Sequence, residues 1–350
     1  MNLAHRRPVT LRLVLQIAVL ALAVHVVLPQ LAGLRATGEA LAHATWWLPL
    51  SVITLEAVSL AAYGELVMVT LRRAGGRARR SFVQRAVVVG TSLGRTLPGG
   101  TTTALAMVVA AFRRHGVDPV AATTAMGTSG LLSTIVLAAL VPLAAGATLL
   151  TGHVGSVALS ALAVAAMVLV GATLAPTVLR RPEALADHAA AWARRIAIGP
   201  LRGHVDPDAV RDAALRAVRG AGALARDRAA LRAAVGWAAL NWLVDMAVVI
   251  VLALTIGRGT PVAAIPLAYL VAQISASVPI TPGGVGIVET AMIGVLVASG
   301  APGGAATATV LGWRLVSHWL PIVAGLALAP TLDSAGTRGR TLRRRRGRTR

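Results

Sequence analysis

Cysteine is absent from all 350 residues, which excludes disulfides, thiolate metal sites and cysteine nucleophiles. Lysine is absent too, so each of the 34 basic residues is arginine. Acidic residues number only 13, and charged residues make up 13% of the chain, about half the share found in a soluble domain. With 56% hydrophobic residues and a mean hydropathy of +0.73, this composition excludes a soluble enzyme and makes the lipid bilayer the solvent. A Walker A loop, an HExxH pair and zinc-ligand spacing are also missing. Transport driven directly by ATP therefore has no residues to carry it. No enzymatic activity, metal or cofactor is expected.

What is present is a series of long apolar runs, at 12–32, 46–71, 82–112, 117–145, 154–179, 233–256, 261–299 and 305–329. A hydrocarbon core of roughly 30 Å needs about 20 apolar residues per helix. The first run has no small-residue cleavage site and reads as a span rather than a signal peptide. The expected fold is an all-α, multi-pass membrane bundle. Its segments are an N-terminus at 1–11, a first membrane half at 12–180, a basic segment at 181–232, a second half at 233–329 and a basic tail at 330–350.

Two runs are interrupted. The first, 82–112, contains Arg95 and Pro98-Gly99-Gly100; the second, 261–299, contains Pro279 and Pro282-Gly283-Gly284. The stretch 86–97 covers only about 18 Å as a helix, too short to cross. Arginine placement bears on the same point, because the rich segments are 1–12, 72–85, 113–114, 180–232 and the tail. The positive-inside rule puts all of them in the cytoplasm. Segments 72–85 and 113–114 flank the first interrupted run, so it should enter and leave on one side, as a re-entrant hairpin over 86–112. A second hairpin over 261–299, opening outward, keeps both termini cytoplasmic. The competing arrangement, one kinked span and one split run, strands an arginine cluster outside.

An offset of 184 residues superimposes Pro98-Gly99-Gly100 on Pro282-Gly283-Gly284, Gly116 on Gly300, and Ala121-Ala122-Thr123 on Ala305-Ala306-Thr307. The topology makes the two units inverted repeats. Paired Gly/Pro-interrupted segments at matching places in two halves point to a transporter's midplane site.

Few ionisable groups interrupt the apolar runs: Glu56, Glu65, Arg95, Asp245, Glu289, Arg314 and His318. Each is costly at depth unless paired or facing water, and so each is a functional candidate. Glu289 follows the second break, where Gly283, Gly284 and Gly286 permit a tight turn after Pro282 and a new helix would present unpaired N–H groups to an anion. Gly100, Thr101, Thr102 and Thr103 after the first break, with Pro98 and Gly99, would offer the same from the other side. Arg95 and Arg314 are cationic partners for a lipid phosphate or for Glu289. The plainer reading is a structural Glu289–Arg314 bridge. Glu56 and His318 are secondary candidates, with a hydrogen-bonded packing role as the alternative for His318. Glu65 and Asp245 read equally as solvated or capping residues, and the tryptophans as interface anchors or packing.

In the basic segment, Asp206-Pro207-Asp208 reads as a helix start, and Leu185, Trp192 and Ile196 as the apolar stripe of a surface helix. Arg343–Arg346 would grip anionic lipid heads. Nucleic-acid binding is not expected, since no aromatics interleave with the arginines.

Pro282 through Glu289, then Gly300, Gly312-Trp313-Arg314-Leu315 and Pro321 to Gly325, resemble the lysylphosphatidylglycerol synthase transmembrane, or flippase-like, family over roughly residues 10–330. The resemblance implies movement of anionic or aminoacylated lipids between leaflets of the plasma membrane. The aminoacyl-transferase domain that some members carry is not seen in this sequence, and Gly94-Arg95-Thr96-Leu97-Pro98-Gly99-Gly100 departs from the Pro-x-Arg-x-Gly-Glu pattern of many members. The expected partners are membrane lipids, with a lipid-modifying enzyme or a second copy of the chain beside them. Two other functions fit the residues: a proton-coupled carrier of a small polar solute, with Glu289 or Glu56 as the proton site, and a non-transporting accessory protein.

Overall fold

A computed structural model describes residues 46–96, 100–149, 180–196, 207–276 and 282–332, with a few helical positions between 162 and 173. The expected span at 12–32, most of 154–179, Pro98, Gly99, Pro279, Asp206 and the arginine-rich ends lie outside the described residues, as do the side chains of Trp192 and Ile196. Among the described residues there is helix and no strand.

Among the described residues, ten helices carry the architecture. They are α1 (Trp47–Arg73), α2 (Arg80–Thr96), α3 (Gly100–Arg114), α4 (Pro119–Leu149), α5 (Pro182–Ile196), α6 (Pro207–Arg226), α7 (Arg228–Thr255), α8 (Ile265–Ala276), α9 (Ile287–Ala298) and α10 (Gly303–Leu332). Among the described residues, α1, α4, α7 and α10 are the helices long and apolar enough to cross a membrane. The 27 residues of α1 reach about 40 Å, beyond the roughly 30 Å required. By the same rise α2 and α3 reach about 25 and 22 Å, and α8 and α9 about 18 Å each. The α2 arm exceeds the expected 86–97 stretch because it starts at Arg80, whose guanidinium is held by Glu65 at 2.5 Å. Its first turns are polar and lie outside the apolar run.

Local chemistry sets the helix ends. Asp227 caps α7 by accepting from the backbone N–H groups of Ala229 and Ala230 at 3.0 and 2.9 Å, satisfying donors that a helix start leaves unpaired. Pro119 and Pro207 occupy first helical positions, where a missing N–H costs nothing. Helices α3 and α9 both end at a left-handed glycine, Gly116 (φ 79°) and Gly300 (φ 95°). The hydrogen bonding matches as well: Val117 N–H reaches Phe112 O at 3.1 Å, and Ala301 N–H reaches Leu296 O at 3.0 Å. This is one C-terminal motif used twice.

The repeat therefore extends to architecture. Helices α1–α4 and α7–α10 share the order long, short, short, long, and the starts of corresponding helices differ from the 184-residue offset by three residues or fewer. The two units run in opposite directions, because α1 and α7 pack antiparallel. Ser59 exchanges hydrogen bonds with Asn241, and Arg73 meets Asp227 at 2.7 Å. Lipid is as apolar as leucine, so helix association here rests on close packing and on such polar pairs, each worth about 0.6 kcal/mol.

Helices α2 and α3 form an antiparallel pair, with Gly90 opposite Val108, Gly94 opposite Ala104, and Phe82 edge-on to Phe112 at 5.1 Å. The pair packs against Val67, Met68 and Leu71 at the C-terminal end of α1. Helices α8 and α9 join the cluster containing Leu48 and Val52 at the other end of α1. The two short-helix pairs thus occupy opposite ends of the bundle.

One seam is unusually close. Ser92 Oγ on α2 donates to Ile322 O on α10 at 3.0 Å, and a Cβ on Gly325 would collide with Ser92 and lie 2.9 Å from Val88 O. Further along, Arg85 Nη1 donates to Thr331 O at 3.4 Å.

Candidate functional site

The end of α2 meets the second glycine break. A Cβ on Gly283 would lie 3.2 Å from Arg95 O and collide with the His318 ring. Gly283, Gly284 and Gly286 have φ values of 62°, 68° and 88°, a region where a side chain is strained. Glycine is thus required at Gly283 twice over, by backbone conformation and by the approach of two other helices.

Polar bonds lock this meeting point. Arg314 Nε donates to Glu289 Oε1 at 2.6 Å, and its Nη2 donates to Gly283 O at 3.1 Å. Glu289 Oε2 accepts the Gly286 N–H at 2.7 Å, so the residue caps its own helix. The side chains of Arg314 and Glu289 are only 9% and 8% exposed, and charge-assisted bonds of this length are strong. Glu289 therefore occupies the place an external anion would take at this helix start.

Helix α10 contributes through a defect. Residues Leu315–Trp319 form a π turn, with the Leu320 N–H bonded to Leu315 O. Such turns redirect backbone groups and often mark functional positions. Here Ser317 O accepts a hydrogen bond from Arg95 Nη1. His318, buried in the same turn, packs over Gly283 and lies edge-on to Trp319.

Beside this lock is a second polar group. Asp245 on α7 is buried and accepts from Tyr269 Oη at 2.6 Å, Trp313 Nε1 at 3.0 Å and Gln273 Nε2 at 3.3 Å. The buried Glu56 on α1 stands across the antiparallel α1–α7 contact from Asp245, one helical turn beyond the Ser59–Asn241 pair.

The fold thus brings together Glu56, Arg95, Gly283, Gly284, Gly286, Glu289, Arg314 and His318 of the sequence candidates. Pro282 opens the turn. Gly100, Thr101 and Thr102 form the start of α3, where their side chains lie outside the described set, as do Pro98 and Gly99 altogether. Arg95 donates to Ser317 O on the π turn.

The reading of Asp245 as a capping or solvated residue is corrected. Asp245 lies inside α7, well away from either end, and Tyr269, Gln273 and Trp313 close over its carboxylate. The available signal was a carboxylate in an apolar run whose sequence also supplies a Tyr, a Gln and a Trp with polar hydrogens to bond it. Trp313 is likewise an internal donor, whereas Trp46 is 83% exposed. Glu65 stays at the surface end with Arg80 and Gln84. Among the described residues, no three His, Asp or Glu side chains converge as a metal would require.

Long apolar helices around a buried, self-paired ionic centre define a multi-pass α-helical membrane protein. Residues 13–325 match the family model for the lysylphosphatidylglycerol synthase TM region, and the chain belongs to that family. Membership links it to lipid modification or transport. No curated protein matches the sequence.

Proposed function

We propose that the chain is a lipid flippase or transporter that moves an anionic or aminoacylated phospholipid between leaflets of the plasma membrane, and that it catalyses no covalent chemistry. The observation that carries this reading is the Gly283–Arg314–Glu289–Gly286 lock. Its donors suit a phosphate, and Glu289 already fills the place with a carboxylate of the protein's own. An arriving head group would compete with Glu289 for Arg314 and the Gly286 N–H. Binding would then open the contact between the two short-helix pairs, and release would let Glu289 close it.

Several features support alternating access. The short pairs sit at opposite ends of α1, their helices fall short of a full crossing, and the two units run in opposite directions. In this reading each pair is a re-entrant hairpin and both termini are cytoplasmic. An apolar recess of about 430 Å³ between the α2–α3 pair and α10, lined by residues including Leu93, Met107 and Leu326, offers acyl chains a place beside the pathway. Membrane lipids are the partners, and a lipid-modifying enzyme would supply the aminoacylated form.

The test is leaflet exchange of a fluorescent anionic phospholipid in proteoliposomes. Wild type is expected to exchange it, with Glu289→Gln and Arg314→Ala slower by about tenfold or more, equivalent to ~1.4 kcal/mol on the barrier. Unchanged exchange in both folded variants would refute the role given to the lock.

A further inference from the structure

Glu289 is matched by Arg314, but the neighbouring group is not matched in this way. Glu56 and Asp245 face each other across the antiparallel α1–α7 contact, one helical turn beyond the Ser59–Asn241 pair. Asp245 is fully served: Oδ2 takes Tyr269 and Gln273, and Oδ1 takes Trp313. Glu56, only 3% exposed, has in Oε2 a buried oxygen with no hydrogen-bond partner.

An acceptor set beside an acceptor is satisfied only if one of them carries a proton. Two carboxylates sharing one dry site do not both ionise. Every other facing group points the same way. From α2 comes one guanidinium, Arg95; from α8 the neutral Tyr269 and Gln273; from α10 Trp313 and Arg314; and Arg314 is committed to Glu289 of α9. The His318 ring packs over Gly283. Among the described residues, two carboxyl groups thus confront one guanidinium besides Arg314, that of Arg95, whose Nη1 is bonded to Ser317 O.

We infer that Glu56 and Asp245 form a proton-binding site, with the proton on Glu56 bridging to the Asp245 carboxylate. Loss of that proton puts two like charges across the α1–α7 contact and draws Arg95 toward them, away from Ser317 O. The site thereby links proton occupancy to the contact between α2 and the π turn. It stands whether or not the chain moves lipid.

The experiment is infrared difference spectroscopy of the purified full chain in lipid nanodiscs, reading the C=O stretch of protonated carboxyl groups and its shift in deuterated water. Wild type at neutral pH is expected to show a band from one buried carboxylic acid that disappears on strong alkalinisation. Glu56→Gln and Asp245→Asn each leave one carboxyl facing Arg95 and are expected to lose the band, while Glu289→Gln keeps it. A wild-type protein with no such band at neutral pH overturns the inference without any variant having to fold. Persistence of the band in both Glu56→Gln and Asp245→Asn overturns it as well. Because the band is read without lipid flux, its absence leaves the transport reading standing, and failure of lipid exchange leaves the proton site standing.

Discussion

Breaking the Glu289–Arg314 pair from each side in turn measures what the lock contributes. The pair is 2.6 Å long and almost fully enclosed. Removing one partner strands a buried charge, at a cost of about 3–5 kcal/mol. Arg314→Met keeps the apolar stem of the side chain but takes the guanidinium from Glu289 Oε1, while Oε2 keeps the Gly286 N–H. Glu289→Ala leaves Arg314 with only Gly283 O and also frees the Gly286 N–H. The double variant strands neither charge, so it is expected to be more stable than the summed single losses imply, by about 2–3 kcal/mol, the upper range of coupling between contacting residues. Detergent-driven unfolding followed by tryptophan fluorescence supplies the four free energies. Additivity within about 0.5 kcal/mol, as for independent sites, would refute the lock and reduce the pair to a coincidence of packing.

Two further perturbations test the turn and the surface end of the bundle. Gly283→Ala is expected to destabilise by more than Gly286→Ala: both incur about 1–2 kcal/mol of left-handed strain, but only Gly283 also faces His318 and Arg95 O. Truncating His318 to Ala should recover the part due to the His318 ring and leave the strain and the Arg95 O contact, read by thermal unfolding. At the surface, the backbone N–H of Ala230, helped by Arg73 and the Ala229 N–H, holds the Asp227 carboxyl below its ordinary value. The stability this gives is complete above the ordinary carboxyl value and is lost as pH falls through the depressed one. Asp227→Asn is expected to keep the helix cap yet remove that part of the acid sensitivity, which unfolding at neutral and acid pH would reveal.

Much of the fold was legible because its signals are local. Apolar length marks α1, α4, α7 and α10, and glycine marks both the 282–284 break and the matched turns at Gly116 and Gly300. The Glu289–Arg314 bond was foreseen as one of two alternatives, since a lone acid and a lone arginine in neighbouring apolar runs have few other partners. The π turn was not foreseen, because nothing in Leu315–Trp319 distinguishes it from ordinary helix; it exists through tertiary contacts such as Arg95 to Ser317. Asp245 was misjudged for a related reason. Its enclosure depends on Tyr269, Gln273 and Trp313 closing over the carboxylate, and those residues lie on other helices, remote in sequence.

The seam between Ser92 and Gly325 has a mechanical consequence. With backbone against backbone and Ser92 hydrogen-bonded across the gap, α2 and α10 have no layer of side chains in which to slide. They behave as two plates riveted at one point, with a second fastening at Arg85 and Thr331. A tilt of α2 at the Arg95 end is therefore transmitted to the far end of α10 as a lever arm transmits a push, over a distance set by the length of the helix. Gating at the buried centre and displacement at the Leu332 end would then be one movement seen from two places.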